Sequence, residues 1–294
     1  MRWLALLLPL LLAGAAHAEQ VVVIKSHDQG LYNRAVEGVA GSYRADRGDR
    51  VTVVNLDDVT ATGMALPGTP DVVITVGAAA TRFAVGRYPS TPIVYCMVVR
   101  PERLPLTPYT VGISMFVPVA DLLATLELVS HNIRHVGVLH NREQSQMVDS
   151  AVANLKGFEA TIIPVEVDDP RSLPRLARRL VLQIDALWVV PGTVTDLDAM
   201  QFLLKLSYEH RVPLIGDSPA MVRAGALLAI TPDPVDLGRQ AARLAGYLIS
   251  GEGLPPEQLF YPDMANLAIN LKTARAWGIE VPKMLVDFAS VTVE

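Results

Sequence analysis

The sequence predicts an α/β protein built from two doubly wound lobes, each with a parallel sheet, and three observations carry this prediction. Short apolar runs alternate with longer segments of helical spacing along the chain. Several runs, such as 21–24 and 71–76, are continuous and rich in β-branched residues, which is typical of strands covered on both faces. The alternation pauses at a proline-rich stretch, 100–109, and starts again near residue 118. One series of alternation builds a parallel sheet flanked by helices, so two series predict two lobes.

The first half of the chain contains predicted strands at 21–24, 51–54, 71–76, 92–97 and 110–115. Apolar side chains recur at helical spacing over 29–44, which predicts a helix between the first two strands. Gly77 follows the third strand and opens an alanine-rich helix at 78–85. The prolines of 100–109 favour an extended connection.

The second half repeats the pattern, with predicted strands at 136–140, 161–163, 186–190, 213–215 and 227–230. Helices are predicted at 118–131, 143–157, 171–183, 196–210 and 235–250, with a short one ending at Arg223. Gly157 and Gly251 follow two of these helices and suit C-caps. The helix at 171–183 carries a basic cluster, and a solvated helix face is favoured over a docking patch. The cluster consists of Arg171, Arg175, Arg178 and Arg179.

Residues 1–18 have the pattern of a secretory signal peptide. Arg2 precedes an apolar run at 4–16 that is too short to span a bilayer, and Ala-His-Ala at 16–18 suits a signal peptidase. Cleavage is expected near Ala18, and the lack of a Cys near this cut predicts no lipid anchor. A periplasmic location is therefore expected, and an uncleaved membrane anchor is the alternative.

The composition excludes several classes of protein. The net charge of −5 gives no electrostatic footprint for nucleic acid or an anionic membrane, and no later stretch is apolar enough to predict a membrane span. Hydrophobic residues make up 51% of the chain, which is enough for a sizeable core. The single cysteine, Cys96, rules out an internal disulfide, and its apolar neighbours predict a buried, unreactive thiol.

Linear motifs for catalysis are missing from the sequence. It has no Gly-rich dinucleotide loop, phosphate-binding loop, H-E-x-x-H or G-x-S-x-G motif. His131 and His135 are four residues apart but span a predicted helix end and strand start, which makes them a poor metal pair. We therefore expect no enzyme activity, no cofactor and no metal site.

Short polar side chains follow five of the predicted strands. Ligands of parallel sheets bind beyond the carboxyl ends of the strands, so these loops are the candidate site. Helix capping is an equally good interpretation of any single loop, for example at Thr195, Asp196, Asp217 and Ser218. Five such loops that converge on one cleft favour ligand binding. The loops are 25–28, 75–81, 141–145, 192–196 and 216–218.

Several segments occur in an order that resembles a known family. They are TVGISMFVPVADLLATLELV (110–129), GVLHNREQS (137–145), IDALWVVPGTVTD (184–196), VPLIGDSPAMVRAGALLAI (212–230), DLGRQAARLAGYLISGE (236–252) and NLAINLKTARAWGIEVP (266–282). Over roughly residues 71–286, the chain is similar to the ABC transporter substrate-binding proteins whose better-known members bind tryptophan or tyrosine.

The resemblance implies the type I periplasmic binding fold, in which the chain crosses between lobes three times, here near residues 116, 231 and 263. The implied first lobe consists of 19–115 plus 232–262, and the second consists of 116–231 plus 263–294. A ligand would lie between the lobes, which close around it by hinge motion.

The resemblance also implies a set of ligand-binding residues in the two lobes. A ligand carboxylate would meet the helix start at 78–81, and Asp217 or Asp233 would hold an ammonium group. The implied residues are Ser26, Thr75, Ala78, Ala79, Asn141, Gln144, Ser145, Thr193, Thr195, Asp217 and Asp233.

The leading functional hypothesis is a monomeric binding protein that delivers a small solute, an amino acid or a related compound, to the membrane permease of an ABC importer. The alternative is a periplasmic sensor or accessory protein of the same fold that binds an envelope protein partner. The sequence departs from the family pattern at the compressed stretch 44–70, at Thr193-Val194 and at 217–219. These departures concern ligand specificity more than the fold.

Overall fold

The structure is a computed structural model that describes residues 20–43, 50–155, 157–194, 196–250 and 253–294. The predicted signal peptide 1–18, the candidate ligand residue Thr195 and the proposed helix cap Gly251 lie outside these ranges.

The first sheet has six strands within the described residues, in the order β11-β5-β4-β3-β1-β2, and all of its strand pairs are parallel. Its central strands are apolar and fully buried, as their continuous β-branched runs predict. The strands are β1 (Gln20–Lys25), β2 (Arg50–Asn55), β3 (Val72–Val76), β4 (Ile93–Val98), β5 (Thr110–Ser114) and β11 (Leu259–Phe260).

The second sheet has seven strands within the described residues, in the order β13-β12-β10-β9-β8-β6-β7. It is mixed, because β12 runs antiparallel to β10 while the remaining pairs are parallel. The strands are β6 (His135–His140), β7 (Thr161–Glu166), β8 (Ala186–Val189), β9 (Leu214–Gly216), β10 (Leu228–Pro232), β12 (Ala265–Asn270) and β13 (Val291–Val293).

Helices connect the strands and cover the sheets. In the first half they are α1 (Gly30–Ala40), α2 (Leu56–Thr62), α3 (Ala78–Arg87) and α4 (Val119–Val129). In the second half they are α5 (Ser145–Asn154), α6 (Leu173–Leu180), α7 (Leu197–His210), α8 (Pro219–Ala224), α9 (Pro234–Ile249), α10 (Leu271–Ala276) and α11 (Lys283–Phe288).

Three connections join the two sheets. The chain leaves the first sheet after β5, returns to it between β10 and α9, and leaves it again between β11 and β12. Each sheet has its own apolar core: α9 packs with α1 on the first sheet, and α4 packs on the second. The two-sheet α/β architecture predicted from the alternating runs is therefore confirmed.

The contact between α1 and α9 is unusually close because it is built from glycines. A Cβ on Gly38 would lie 2.0 Å from the carbonyl oxygen of Val235, and one on Gly238 would lie 1.9 Å from that of Ala35. No side chain fits either position, so the two backbones touch directly. This contact fixes α9, which begins where the chain re-enters the first lobe.

Several sequence-based expectations need correction. The helix predicted at 143–157 begins at Ser145, after a 3-10 turn at Arg142–Gln144, and ends at Asn154, so Gly157 is not its C-cap. The stretch 44–70 contains an additional helix, α2, with Asn55 as its N-cap. The basic cluster is exposed, as predicted, with Arg171 in a 3-10 turn just before α6 and the other three arginines on α6. The Arg178 guanidinium lies 5.0 Å from the centre of the Phe202 ring.

Candidate ligand-binding cleft

The segments that follow the strands at their carboxyl ends meet between the two sheets and form the candidate cleft. Arg100, just after β4, donates a hydrogen bond from Nη2 to the carbonyl oxygen of Gly192, just after β8, at 2.7 Å. Arg103 pairs with Glu143, which follows β6. The loops after β4, β6 and β8 therefore touch across the space where the ligands of parallel sheets bind.

The first wall of the cleft is the start of α3. Ser26 is buried, and its hydroxyl accepts a hydrogen bond from the Ala80 N–H at 2.9 Å. Thr75 is also buried, and its hydroxyl lies 2.9 Å from that of Thr81. Gly77 has φ +94, and a Cβ there would lie 2.6 Å from the Ser26 hydroxyl oxygen, so only glycine fits. The two predicted hydroxyl residues thus shape this loop.

The first two backbone N–H groups of α3, those of Ala78 and Ala79, have no hydrogen-bond acceptor among the described residues. Both residues are partly exposed. A helix N-terminus carries partial positive charge, and free N–H groups there favour a carboxylate. This end of α3 can therefore receive an anionic group, as the sequence predicts.

The second wall is organised by Gln144, which is buried. Its Nε2 donates to the carbonyl oxygen of Pro191 at 2.6 Å, and its Oε1 accepts from the Asn141 N–H at 3.0 Å and the Thr193 hydroxyl at 2.7 Å. A reciprocal hydrogen bond joins the same two residues, because the Asn141 Oδ1 accepts from the Gln144 N–H at 3.1 Å. These bonds fix the loops after β6 and β8 relative to each other.

Asn141 keeps one unused donor: its buried Nδ2 has no hydrogen-bond partner among the described residues. An unpaired buried donor costs free energy unless something accepts from it, so Asn141 is a good candidate for a ligand contact. Ser145 differs, because its hydroxyl donates to Glu166 at 2.6 Å. That hydrogen bond is the largest of the causes that lower the pKa of Glu166 to about 2, and Arg142, whose Nε donates to Glu166 Oε1 at 3.2 Å, lowers it further.

Asp217 follows β9 and is only partly exposed. No Lys, Arg or His in the described ranges lies within ion-pair distance of its carboxylate, and burial raises its pKa above the usual value. A half-buried carboxylate without a cation costs stability, and a ligand ammonium group would compensate that cost.

Asp233 has a different environment. Its Oδ1 caps α9 by accepting from the N–H groups of Val235 at 2.8 Å and Asp236 at 3.0 Å. Its Oδ2 accepts from Asn266 at 2.7 Å and from Arg34 at 3.3 Å. These donors hold its pKa below the usual value despite partial burial. Both oxygens of Asp233 are therefore engaged, and they link the start of α9 to β12 and α1.

Sequence reasoning missed two features of the cleft. Arg100 lies in the proline-rich stretch that was expected to be a simple connection. Met97 has φ +58, uncommon for a non-glycine residue, where the pairing of β4 with β5 shifts register. A small cavity lies next to the first connection between the sheets. Met115, Phe116, Val117, Trp188, Pro191 and Ile215 are among the lining residues.

The described residues carry no metal cluster and no membrane-spanning helix. In that part of the chain, no group of three His, Cys, Asp or Glu side chains is arranged to hold a metal ion. Nor does any helix there have the length and apolarity needed to cross a membrane. Cys96 is buried in the first core, and burial raises the pKa of its thiol to about 12, as expected for an unreactive cysteine.

Comparisons with known proteins agree with this architecture. The chain is 22% identical over 179 residues to a curated tyrosine-binding protein of Clostridioides difficile strain R20291. That alignment covers 60% of this chain, and the chain spans about half the length of the curated relative, 51%.

Two solved structures share the fold. One is an ABC domain in complex with L-Trp from Streptococcus pneumonia, with 16% identity, a TM-score of 0.59, and coverage of 93% of this chain and 100% of that chain. The other is a ligand-free, open substrate-binding protein with adhesive properties from Clostridium difficile, with 17% identity, a TM-score of 0.66, and coverage of 94% and 99%.

The family described as ABC transporter substrate binding protein matches residues 57–293, which is most of the chain. With its two mostly parallel sheets, the chain has the type I periplasmic binding protein fold. This chain therefore belongs to the ABC transporter substrate-binding protein family, and its family and fold are those of solute-binding proteins, not of enzymes.

Proposed function

We propose that this chain is the solute-binding subunit of an ABC-type importer and captures a small zwitterion, an amino acid or a related compound, between its lobes. The observation that carries the proposal is a pair of sites of opposite polarity at the carboxyl ends of the sheets. Asp217 lacks a cation, and the Ala78 and Ala79 N–H groups lack acceptors, among the described residues. An α-amino acid supplies both missing partners.

The proposed binding motion is closure of two lobes, 19–115 plus 232–262 and 116–231 plus 263–294. Two of these boundaries fall in connections between the sheets, and the one at 231/232 falls at the end of β10, just before the second connection. A small change in backbone angles in these connections moves one lobe relative to the other. Asn141 supports the same site with its unpaired Nδ2. Gln144 and Thr193 are proposed to act by holding the loops in place.

Delivery to a membrane permease is proposed from family membership, and a periplasmic location from the signal-like segment 1–18. The curated relative is named for tyrosine, and one structural neighbour was solved with L-Trp. L-Tyrosine and L-tryptophan are therefore the first ligands to test.

The test is thermal unfolding of the purified protein with each of the common L-amino acids. A ligand at about 100 times its Kd is expected to stabilise the protein by about 2.7 kcal/mol. Tyramine lacks the carboxylate and 3-(4-hydroxyphenyl)propanoic acid lacks the ammonium group, so each should bind more weakly than L-tyrosine if L-tyrosine binds. No stabilisation by any amino acid would refute this proposal and favour an accessory protein that binds an envelope partner.

The carboxylate site can be tested separately with Ala78→Pro. Proline suits the first position of a helix but has no N–H, so the variant should fold normally while losing one donor. A hydrogen bond to a charged group contributes about 1.5–3 kcal/mol, so calorimetry should report affinity reduced by at least about tenfold. Normal affinity in a folded variant would remove this N–H from the proposed site.

A further inference from the structure

Two arginines that follow β4 make contacts that do not belong to the proposed ligand site. Arg100 and Arg103 extend from the segment after β4, on the first-lobe side. They meet Glu143 and Gly192, which follow strands of the second sheet. We define these four residues as the closure latch. Every latch contact joins one lobe to the other, so opening the lobes breaks all of them together.

The charges of the latch are arranged around Glu143. Arg103 donates to Glu143 Oε1 from Nε at 2.7 Å, and Arg100 Nη1 lies 3.5 Å from Glu143 Oε2. Both carboxylate oxygens therefore face a guanidinium from the opposite lobe. The Glu143 and Arg100 side chains are each 30% exposed, so salt can screen the interaction only in part at moderate ionic strength.

Backbone geometry completes the latch. Gly192 has φ +83, and a Cβ at this position would lie 3.0 Å from Val99 Cγ1 on the other lobe. Glycine thus permits the close approach that brings its carbonyl oxygen to Arg100. Gln144 fixes the same loop by donating a hydrogen bond to the Pro191 carbonyl oxygen. The Gly192 carbonyl oxygen, which accepts from Arg100, is therefore held in a defined position.

We propose that the closure latch holds the lobes closed without help from a ligand and that Glu143 is the residue on which it depends. The latch sets how often the cleft opens, and thereby how fast a solute enters or leaves. Exposed ion pairs contribute up to about 1 kcal/mol, so neutralising Glu143 should shift the closed-to-open ratio about fivefold towards the open state.

The experiment measures the distance between the lobes in the ligand-free full chain. Nitroxide labels are placed on Arg82→Cys and Asp198→Cys, which are exposed positions on α3 and α7. Cys96 is fully buried and stays unlabelled. Pulsed electron–electron double resonance then gives the distribution of distances between the two labels at low salt and at 1 M salt, where the Debye length is about 3 Å.

Glu143→Gln is expected to lengthen the distances at low salt, and its distribution should respond less to salt than that of the parent protein. Glu159→Gln is the matched control, because its partner Arg134 lies on the same lobe, and it should change neither property. Arg103→Gln should open the parent protein but add little in the Glu143→Gln background, since the two residues act as a pair.

Three results would overturn the proposal: a parent protein that is already open at low salt, a Glu143→Gln distribution identical to that of the parent, or an equal shift with Glu159→Gln. Circular dichroism confirms that each variant is folded before its distances are compared. The test uses no solute, so its outcome is independent of the ligand proposed above.

Discussion

Replacing Asp217 with Asn is expected to raise stability and lower ligand affinity in the same molecule. The ligand-free protein holds this half-buried carboxylate without a cation, and burial raises its pKa. A carboxyl whose folded pKa is raised destabilises the fold at pH values above it, and the loss is recovered as pH falls. Asn keeps the shape of the side chain and removes the charge, so it removes this destabilisation.

The size of each effect follows from the environment of Asp217. Removing a half-buried charge that has no cation beside it is expected to stabilise the protein by about 0.5–1 kcal/mol. In a chain of this size, that stabilisation raises Tm by about 1–4 °C. Losing one member of a buried charge pair with a ligand ammonium costs about 2–3 kcal/mol, or about 30- to 150-fold in Kd.

The assay combines urea unfolding at pH 7 with calorimetric titration of whichever amino acid stabilises the parent protein. Asp233→Asn is the matched control, because Asp233 also follows a strand of the second sheet but accepts four hydrogen bonds. Its replacement should destabilise the protein. A destabilised Asp217→Asn variant, or one with unchanged affinity, would refute the assignment of Asp217 as the ammonium site.

Two further predictions concern stability. Gly238→Ala should lower the free energy of unfolding in urea by about 3 kcal/mol, because the added methyl group would overlap the Ala35 carbonyl oxygen. Gly246→Ala in the same helix is the control: its methyl group would meet no atom within 4 Å, so the substitution should be neutral or stabilising. Glu166 has its pKa lowered from 4.5 to about 2, chiefly by Ser145, so its stabilisation is complete above pH 4.5 and is lost as pH falls towards 2. Glu166→Gln should therefore lose less stability than the parent between pH 5 and pH 2, and equal losses would contradict this assignment.

Much of the fold could be predicted from the sequence because buried parallel strands are long, continuous and rich in β-branched residues. The runs at 21–24 and 71–76 are β1 and β3 in the structure. Most of the elements that escaped prediction are short or partly exposed, but the strand β12 (Ala265–Asn270), which has six residues and is largely buried, was also not predicted. The strand β11 has two residues, and the helices α10 and α11 have six each, too few for a clear period.

The candidate site could be located from the sequence, but the roles within it could not be assigned. A polar side chain after a strand is visible in the sequence, whereas its partner is not, because the partner lies far along the chain. Gln144 bonds to Pro191 and Thr193, which are almost fifty residues away. Arg100 was missed for the same reason, since its acceptor Gly192 lies on the other lobe.

Asp217 and Asp233 show most directly what decides such a role. Both are aspartates that follow strands of the second sheet, and sequence alone offers both as partners for an ammonium group. At Asp233, two backbone N–H groups, an amide and a guanidinium already satisfy the carboxylate, so a ligand would have to displace a donor to bind. At Asp217, burial has removed water without supplying a cation. Apart from hydrogen bonds with Ser218 and with its own backbone, the Asp217 carboxylate has no partner that lowers its pKa. An ammonium group would therefore add an ion pair at Asp217 without displacing a cation, which makes Asp217 the better ligand site.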